Sequence, residues 1–74
     1  MSEQDFIDMM VELMDTEDEI TIDSVLDELE DWDSLSYVVF LARCSKDAKS
    51  HIEPQEVRDA KTIRDLFDLM NRQA

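Results

Sequence analysis

Apolar residues recur every three or four positions in this chain, and this spacing is the feature that most restricts its fold. Near the N-terminus, the positions with the spacing of an amphipathic helix are Phe6, Ile7, Met10, Leu13 and Met14. Near the C-terminus, the same spacing is found at Ile63, Leu66, Phe67 and Met70. Polar and apolar residues do not alternate persistently, and the chain has no glycine and one proline. The pattern predicts an all-α fold.

Polar residues that favour helix caps set the limits of the first and last predicted helices. Ser2 precedes the first helix, which we expect over residues 3–14, and Thr62 precedes the last. The next segment, DTEDEITIDSVLDELEDWD, is too irregular for one long helix but has enough apolar residues to pack along its length. We predict a long ordered loop there, with one helical turn at residues 24–29.

Two further helices are expected between the loop and the C-terminal helix. Asp33 or Ser34 is a favoured cap for a second helix ending near residues 46–48. The only proline suits the first position of a short third helix over residues 54–59. A chain of 74 residues fits one small domain. The sequence therefore predicts a small four-helix bundle that occupies residues 1–74 as a single domain.

Negative charge is concentrated in the first part of the chain. Residues 1–33 hold 14 of the 20 acids and no Lys or Arg, whereas residues 34–74 hold 7 bases and 6 acids. These segments carry −14 and +1, which gives the net charge of −13. Such a field repels nucleic acids and anionic membrane surfaces and favours basic patches on proteins. We therefore expect protein partners and neither nucleic acid nor membrane.

The N-terminal sequence MSEQDFIDMM lacks the basic start and long apolar core of an export signal. The chain also lacks the roughly 20 consecutive apolar residues that a membrane span requires. Its single cysteine, Cys44, agrees with a reducing compartment. We expect a cytoplasmic protein, and a monomer.

The predicted second helix carries two apolar stripes. One stripe comprises Tyr37, Phe40, Leu41, Cys44 and Ala48. The second stripe comprises Leu35, Val38, Val39 and Ala42. A helix that is apolar nearly all round is either deeply buried or keeps one face for a partner. A small domain has a thin core, which favours a partner role for one of the two faces. We therefore predict that the second stripe binds partners. The alternative is that both stripes belong to the core.

The second helix begins with the sequence WDSLS, in which Asp33, Ser34 and Leu35 follow an acidic, loop-like segment. This start resembles the Asp-Ser-Leu motif of acyl carrier proteins. The resemblance covers nearly the whole chain: length, acidity, helix order, and the segments IEPQEV and KTIRDLFDLM, which are similar to the family's third and fourth helices. It implies that 4'-phosphopantetheine is esterified to Ser34 and that its thiol carries an acyl or aminoacyl group as a thioester. Asp33 and Leu35 would flank this site, with Asp33 contacting the transferase that installs the arm.

The resemblance also implies the partners: a phosphopantetheinyl transferase and the enzymes that load and transfer the acyl group. Fatty-acid carriers bear several acids on the second helix. Here the positions expected to be exposed include Ser36, Val39, Arg43, Ser45 and Lys46. Trp32 replaces a glycine ahead of the serine, and Ala48 replaces an aromatic residue near the end of the helix. These differences resemble specialised carriers that serve one dedicated pathway.

Other roles for these residues compete with the carrier role. Asp-Ser before an apolar run is also a common helix cap, so capping alone is one alternative for Ser34. Catalysis by Ser34 needs a base. The sole histidine, His51, lies in a polar connection, and the sequence shows no third group that would orient it.

Cys44 lies in an apolar stripe and is predicted to be a buried, structural thiol. The acidic run lacks the glycine of a calcium loop and includes Ile20 and Ile22, so no metal site beyond weak, nonspecific binding is expected. We expect no enzyme; the competing function is an unmodified, acidic helical interaction module.

Overall fold

The computed structural model describes residues 2–47 and 52–71, and of residue 47 only the backbone. Its elements are α1 (Glu3–Met14), a 3₁₀ turn (Leu26–Glu28), α2 (Ser34–Asp47), α3 (Pro54–Asp59) and α4 (Ile63–Asn71). Within these residues the regular structure is entirely helical. The all-α prediction is confirmed, including the long first loop, its helical turn and the short third helix. The expectations for Ala48 and His51 fall outside the described residues.

Local caps explain where α1 begins and ends. The Ser2 hydroxyl accepts a hydrogen bond from the backbone N–H of Asp5, at 3.1 Å. After the last turn, Asp15 adopts a left-handed conformation with φ of 52°, and its N–H bonds back to the carbonyl of Glu12. Aspartate tolerates this conformation better than most residues, so it ends the helix in a chain without glycine. Both limits of the first helix were predicted correctly.

Helix α4 starts with a reciprocal cap. The Thr62 hydroxyl accepts a hydrogen bond from the Asp65 N–H, and the Asp65 carboxylate accepts bonds from the N–H groups of Lys61 and Thr62. This arrangement satisfies donors that a helix start otherwise leaves without partners. These hydrogen bonds lower the pKa of the Asp65 carboxyl below its ordinary value, and the bond from the Lys61 N–H has the largest effect.

The core is built around aromatic rings from α1, α2 and α4. The ring of Phe6 meets those of Phe40 and Phe67 edge to face, with centroid distances of 6.3 and 5.4 Å. Trp32, at the end of the long loop, packs edge-on against Phe40 at 6.1 Å. Such pairs contribute roughly 0.5–1.5 kcal/mol each beyond their buried area. Met9, which the apolar spacing did not single out, is also buried, so α1 buries a wider face than predicted.

The long loop is pinned to the start of α4 by backbone hydrogen bonds. The Leu26 N–H bonds to the Lys61 carbonyl at 2.8 Å, and the Ile63 N–H bonds to the Ser24 carbonyl at 3.0 Å. A third bond, of 2.7 Å, joins the Arg64 N–H to the Ile22 carbonyl. The loop is therefore an ordered layer of the fold, and it places its 3₁₀ turn beside the start of α2.

The concentrated negative charge predicts that salt stabilises the fold. Attractive ion pairs do exist: the guanidinium of Arg64 lies 3.2 Å from Asp23 and 3.6 Å from Glu3. However, residues 1–33 carry −14, so repulsion between exposed carboxylates outweighs these pairs. Screening acts within about 10 Å at 0.1 M ionic strength. We expect the melting temperature to rise from low to moderate sodium chloride, and to rise further with a divalent cation. A flat or falling melting temperature would contradict this expectation.

Candidate functional site

Asp33 is the residue that caps helix α2. Its carboxylate accepts a hydrogen bond from the Ser36 N–H at 3.0 Å, and its carbonyl accepts the first bond of the helix from the Tyr37 N–H, also at 3.0 Å. The sequence allowed either Asp33 or Ser34 to be the cap, and the structure assigns this role to Asp33. Ser34 is thus the first residue inside the helix.

The side chain of Ser34 is exposed at this helix start. Its hydroxyl takes part in none of the side-chain hydrogen bonds found in the described part of the chain. Because Asp33 already supplies the cap, the helix does not need the Ser34 hydroxyl. Capping alone therefore does not account for this serine, which lies exposed at the positive end of the helix.

Ser36 forms hydrogen bonds with the end of the loop that precedes α2. Its hydroxyl donates to the Asp31 carbonyl at 2.6 Å and lies 3.3 Å from the Asp33 carboxylate. Its side chain is only 5% exposed, so the expectation that Ser36 is an exposed position is wrong. The reason is that the loop folds back over the first turn of α2 and covers this side chain. A polar residue three positions after a cap often reaches back in this way, and that spacing was the available sequence signal.

The cap of α2 gives a pH-dependent contribution to stability. The Ser36 N–H is the main cause that lowers the pKa of the Asp33 carboxyl below its ordinary value. A carboxyl with a depressed pKa stabilises the fold above its unfolded pKa, about 3.9, and this contribution is lost as pH falls through the folded pKa. In urea unfolding at several pH values, we expect the stability advantage of the wild type over Asp33→Asn to shrink below about pH 4. Asp27→Asn, which removes an exposed carboxylate nearby, is the matched control; an Asp33→Asn difference independent of pH would contradict the assignment.

The two apolar stripes of α2 have different environments. In the first stripe, Phe40 and Cys44 are buried, while Tyr37 and Leu41 are half-buried. In the second stripe, the exposed fractions are 72% for Leu35, 57% for Val38 and 40% for Val39, and Ala42 is also exposed. The alternative that both stripes belong to the core is therefore wrong. Partner binding by the second stripe stays a prediction.

An open groove of about 550 Å³ lies beside Ser34. The 3₁₀ turn, the first turn of α2 and helix α3 form its walls, and its floor includes the buried side chains of Leu26 and Val57. Arg58 also lines the groove, with its guanidinium carbon 5.4 Å from the centre of the Tyr37 ring. The Tyr37 hydroxyl donates to the Pro54 carbonyl at 3.3 Å, which ties α2 to α3.

Sequence reasoning did not place Tyr37, Val57 or Arg58 at this site. The position of Tyr37 beside Ser34 could have been predicted, because residues three apart are neighbours on a helix surface. The positions of Val57 and Arg58 could not, because the approach of α3 to this site depends on tertiary packing. Cys44 is buried in the core, 5% exposed, as its apolar stripe predicted.

The described residues include no group of three or more His, Cys, Asp or Glu side chains arranged to hold a metal ion. None of their helices has the length and apolar character needed to cross a membrane.

Comparisons of this chain with protein-family models, curated proteins and solved structures give no match. The chemistry of the site must therefore be argued from its own residues.

Proposed function

We propose that this protein is an acyl carrier, in which 4'-phosphopantetheine is esterified to Ser34 and holds an acyl or aminoacyl group as a thioester. The observation that carries this proposal is that Ser34 is exposed inside the first turn of α2 while Asp33 provides the cap. The hydroxyl is thus available for modification without loss of a structural hydrogen bond. The Asp-Ser-Leu sequence at this position supports the same conclusion.

The start of α2 suits a phosphodiester. Backbone N–H groups without helical partners and the positive end of the helix dipole favour an anion there. Ser36 and Asp33 form a connected set of hydrogen bonds that keeps the preceding loop in place. The arm would start from a rigid base and extend into solvent, so that it can reach different enzymes. Asp33 is the residue that we expect the transferase to contact beside the modified serine, with Leu35 on its other side.

The surface charge supports proteins as the partners of this carrier. A phosphopantetheinyl transferase would install the arm, and loading and transfer enzymes of one dedicated biosynthetic pathway would use it. The acids of residues 1–33 favour encounter with basic surfaces on these enzymes, whereas the exposed apolar stripe of α2 would form the contact. The carrier itself performs no catalysis in this proposal, acts as a cytoplasmic monomer, and binds neither nucleic acid nor membrane.

Co-expression with a broad-specificity phosphopantetheinyl transferase tests the proposal. We expect the intact mass to increase by one phosphopantetheine group, and peptide mapping to place the group on Ser34. An unchanged mass, with an active transferase verified on a known carrier, would reject the proposal.

The second candidate function is an unmodified protein-interaction module. It is favoured by one specific observation: three large apolar side chains of α2 are exposed, led by Leu35 at 72%. A module of this kind would bind its partner equally well whether or not it had been co-expressed with the transferase. The mass measurement distinguishes it from the carrier.

A further inference from the structure

Arg58 is an unusual cation in this protein. The chain has 20 acids and 7 Lys or Arg residues, so carboxylates are abundant. Yet the described residues supply no ion pair to Arg58, and the guanidinium instead lies 5.4 Å from the centre of the Tyr37 ring. Stacking on an aromatic ring holds a guanidinium in place while leaving the N–H groups at its edge able to donate hydrogen bonds. Arg58 is thus positioned and still able to bind an anion.

The position of Arg58 relates it to Ser34. Ser34 and Tyr37 lie three residues apart and share one side of α2, and both line the groove that Arg58 borders. An anion attached to the Ser34 hydroxyl would therefore lie beside a groove that Arg58 and Tyr37 also line. The apolar floor, which includes Leu26 and Val57, would lie below it.

The guanidinium of Arg58 is the feature of the groove that would attract an anion. Arg58 is the one basic residue among those that line the groove in the described part of the chain. Two acids also line it: Asp33, whose carboxylate accepts the Ser36 N–H, and Asp27, which belongs to the 3₁₀ turn. Both keep their negative charge, so the attraction of an anion is local to the guanidinium. The planar guanidinium matches the paired oxygens of a phosphodiester or a carboxylate.

We infer that Arg58, held on Tyr37, binds an anionic oxygen of the group carried on Ser34. This inference rests on the proposed function, because the anion is delivered by the modification. Two parts of that group have the required chemistry: the phosphodiester that joins the arm to Ser34, and a free carboxylate on the carried acyl group. Arg58 is a residue that positions the arm. If it binds the phosphodiester, it positions the arm whichever acyl group is carried.

The test compares melting temperatures of the unmodified and modified forms of each variant. In the wild type, we expect modification to raise the melting temperature through the Arg58 contact by roughly 2–5 °C, as for a partly exposed ion pair in a domain of this size. Arg58→Gln should lose this increase, and Arg58→Lys should keep part of it. A purely structural role of Arg58 would shift both forms of Arg58→Gln equally, so the difference between the forms isolates the contact.

Lys46→Gln is the matched control. It removes the same charge from an exposed position of α2 that does not line the groove, about 18 Å further along the helix from Ser34. The control should keep the wild-type increase. If Lys46→Gln loses as much of the increase as Arg58→Gln, the effect is one of net charge, and the assignment to Arg58 is overturned.

Loading two acyl groups distinguishes the two sources of the anion. Each protein is loaded with propionyl, which ends in a methyl group, or with succinyl, which ends in a carboxylate. Binding of the phosphodiester predicts the same Arg58→Gln effect in the thiol, propionyl and succinyl forms. Binding of the cargo carboxylate predicts an effect in the succinyl form alone.

Two further results would overturn the inference, and they are distinguishable. If the protein gains the mass of the arm but Arg58→Gln behaves as the wild type in all three forms, the inference fails and the carrier function stands. If the transferase adds no mass, both fail.

Discussion

Ser34→Ala is expected to abolish attachment of phosphopantetheine and to leave the fold nearly unchanged. The hydroxyl is the proposed attachment atom, so its removal should eliminate the mass increase produced by the transferase. The helix keeps its cap because Asp33, not Ser34, accepts the Ser36 N–H. Alanine is also the best helix former for a position inside α2. Intact mass and a thermal melt measure the two outcomes.

Two neighbouring serines provide matched controls for this experiment. Ser45→Ala changes an exposed serine on the same helix and should alter neither modification nor stability. Ser36→Ala should keep the modification site but cost about 1–3 kcal/mol of folding free energy, because the partly buried Asp31 carbonyl loses its donor. Full modification of Ser34→Ala would show that the arm is attached elsewhere. A fully stable Ser36→Ala would contradict the role given to its hydrogen bond.

Val39→Glu is expected to weaken binding of the dedicated partner by about 1–3 kcal/mol, which is roughly 5-fold to 150-fold in Kd. Val39 is 40% exposed, so a carboxylate can reach water in the free protein and the variant should fold. In the complex, that carboxylate would be buried among apolar groups without a partner. The same change introduces an acid of the kind found on fatty-acid carriers, so under the proposed function it should improve recognition by their enzymes. Binding to the loading enzyme and a thermal melt are measured together.

The control for this variant is Ser45→Glu, which adds the same charge to α2 at an exposed position outside the stripe. It should change the affinity little. Salt should slow association with the partner more than it weakens the complex, since the acids act mainly in steering. A folded Val39→Glu with unchanged affinity would remove the stripe from the interface. A variant that cannot fold would contradict the expectation that a carboxylate at this exposed position reaches water.

Local signals were sufficient to predict the helices. The hydroxyls of Ser2 and Thr62 accept backbone N–H groups of the next turn, and the only proline occupies the first position of α3. These are local effects, so the starts of α1, α3 and α4 were predicted at the residues where they occur. The apolar spacing identified which faces turn inward, with Met9 as an omission. The Asp-Ser-Leu motif placed the candidate site, because a helix start and its polar residues are adjacent in sequence.

Tertiary structure decided which side chains surround the site. Periodicity shows that α2 has two apolar stripes, but only the positions of α1, α3 and the long loop determine which stripe is covered and which remains exposed. Ser36 was predicted to be exposed because helical spacing does not reveal a loop that folds back over the first turn. Arg58 and Tyr37 are 21 positions apart in the numbering, and nothing local to either residue specifies their contact. Caps and periodicity depend on interactions within one or two turns, whereas the groove depends on how separate elements pack, and only the folded chain specifies that.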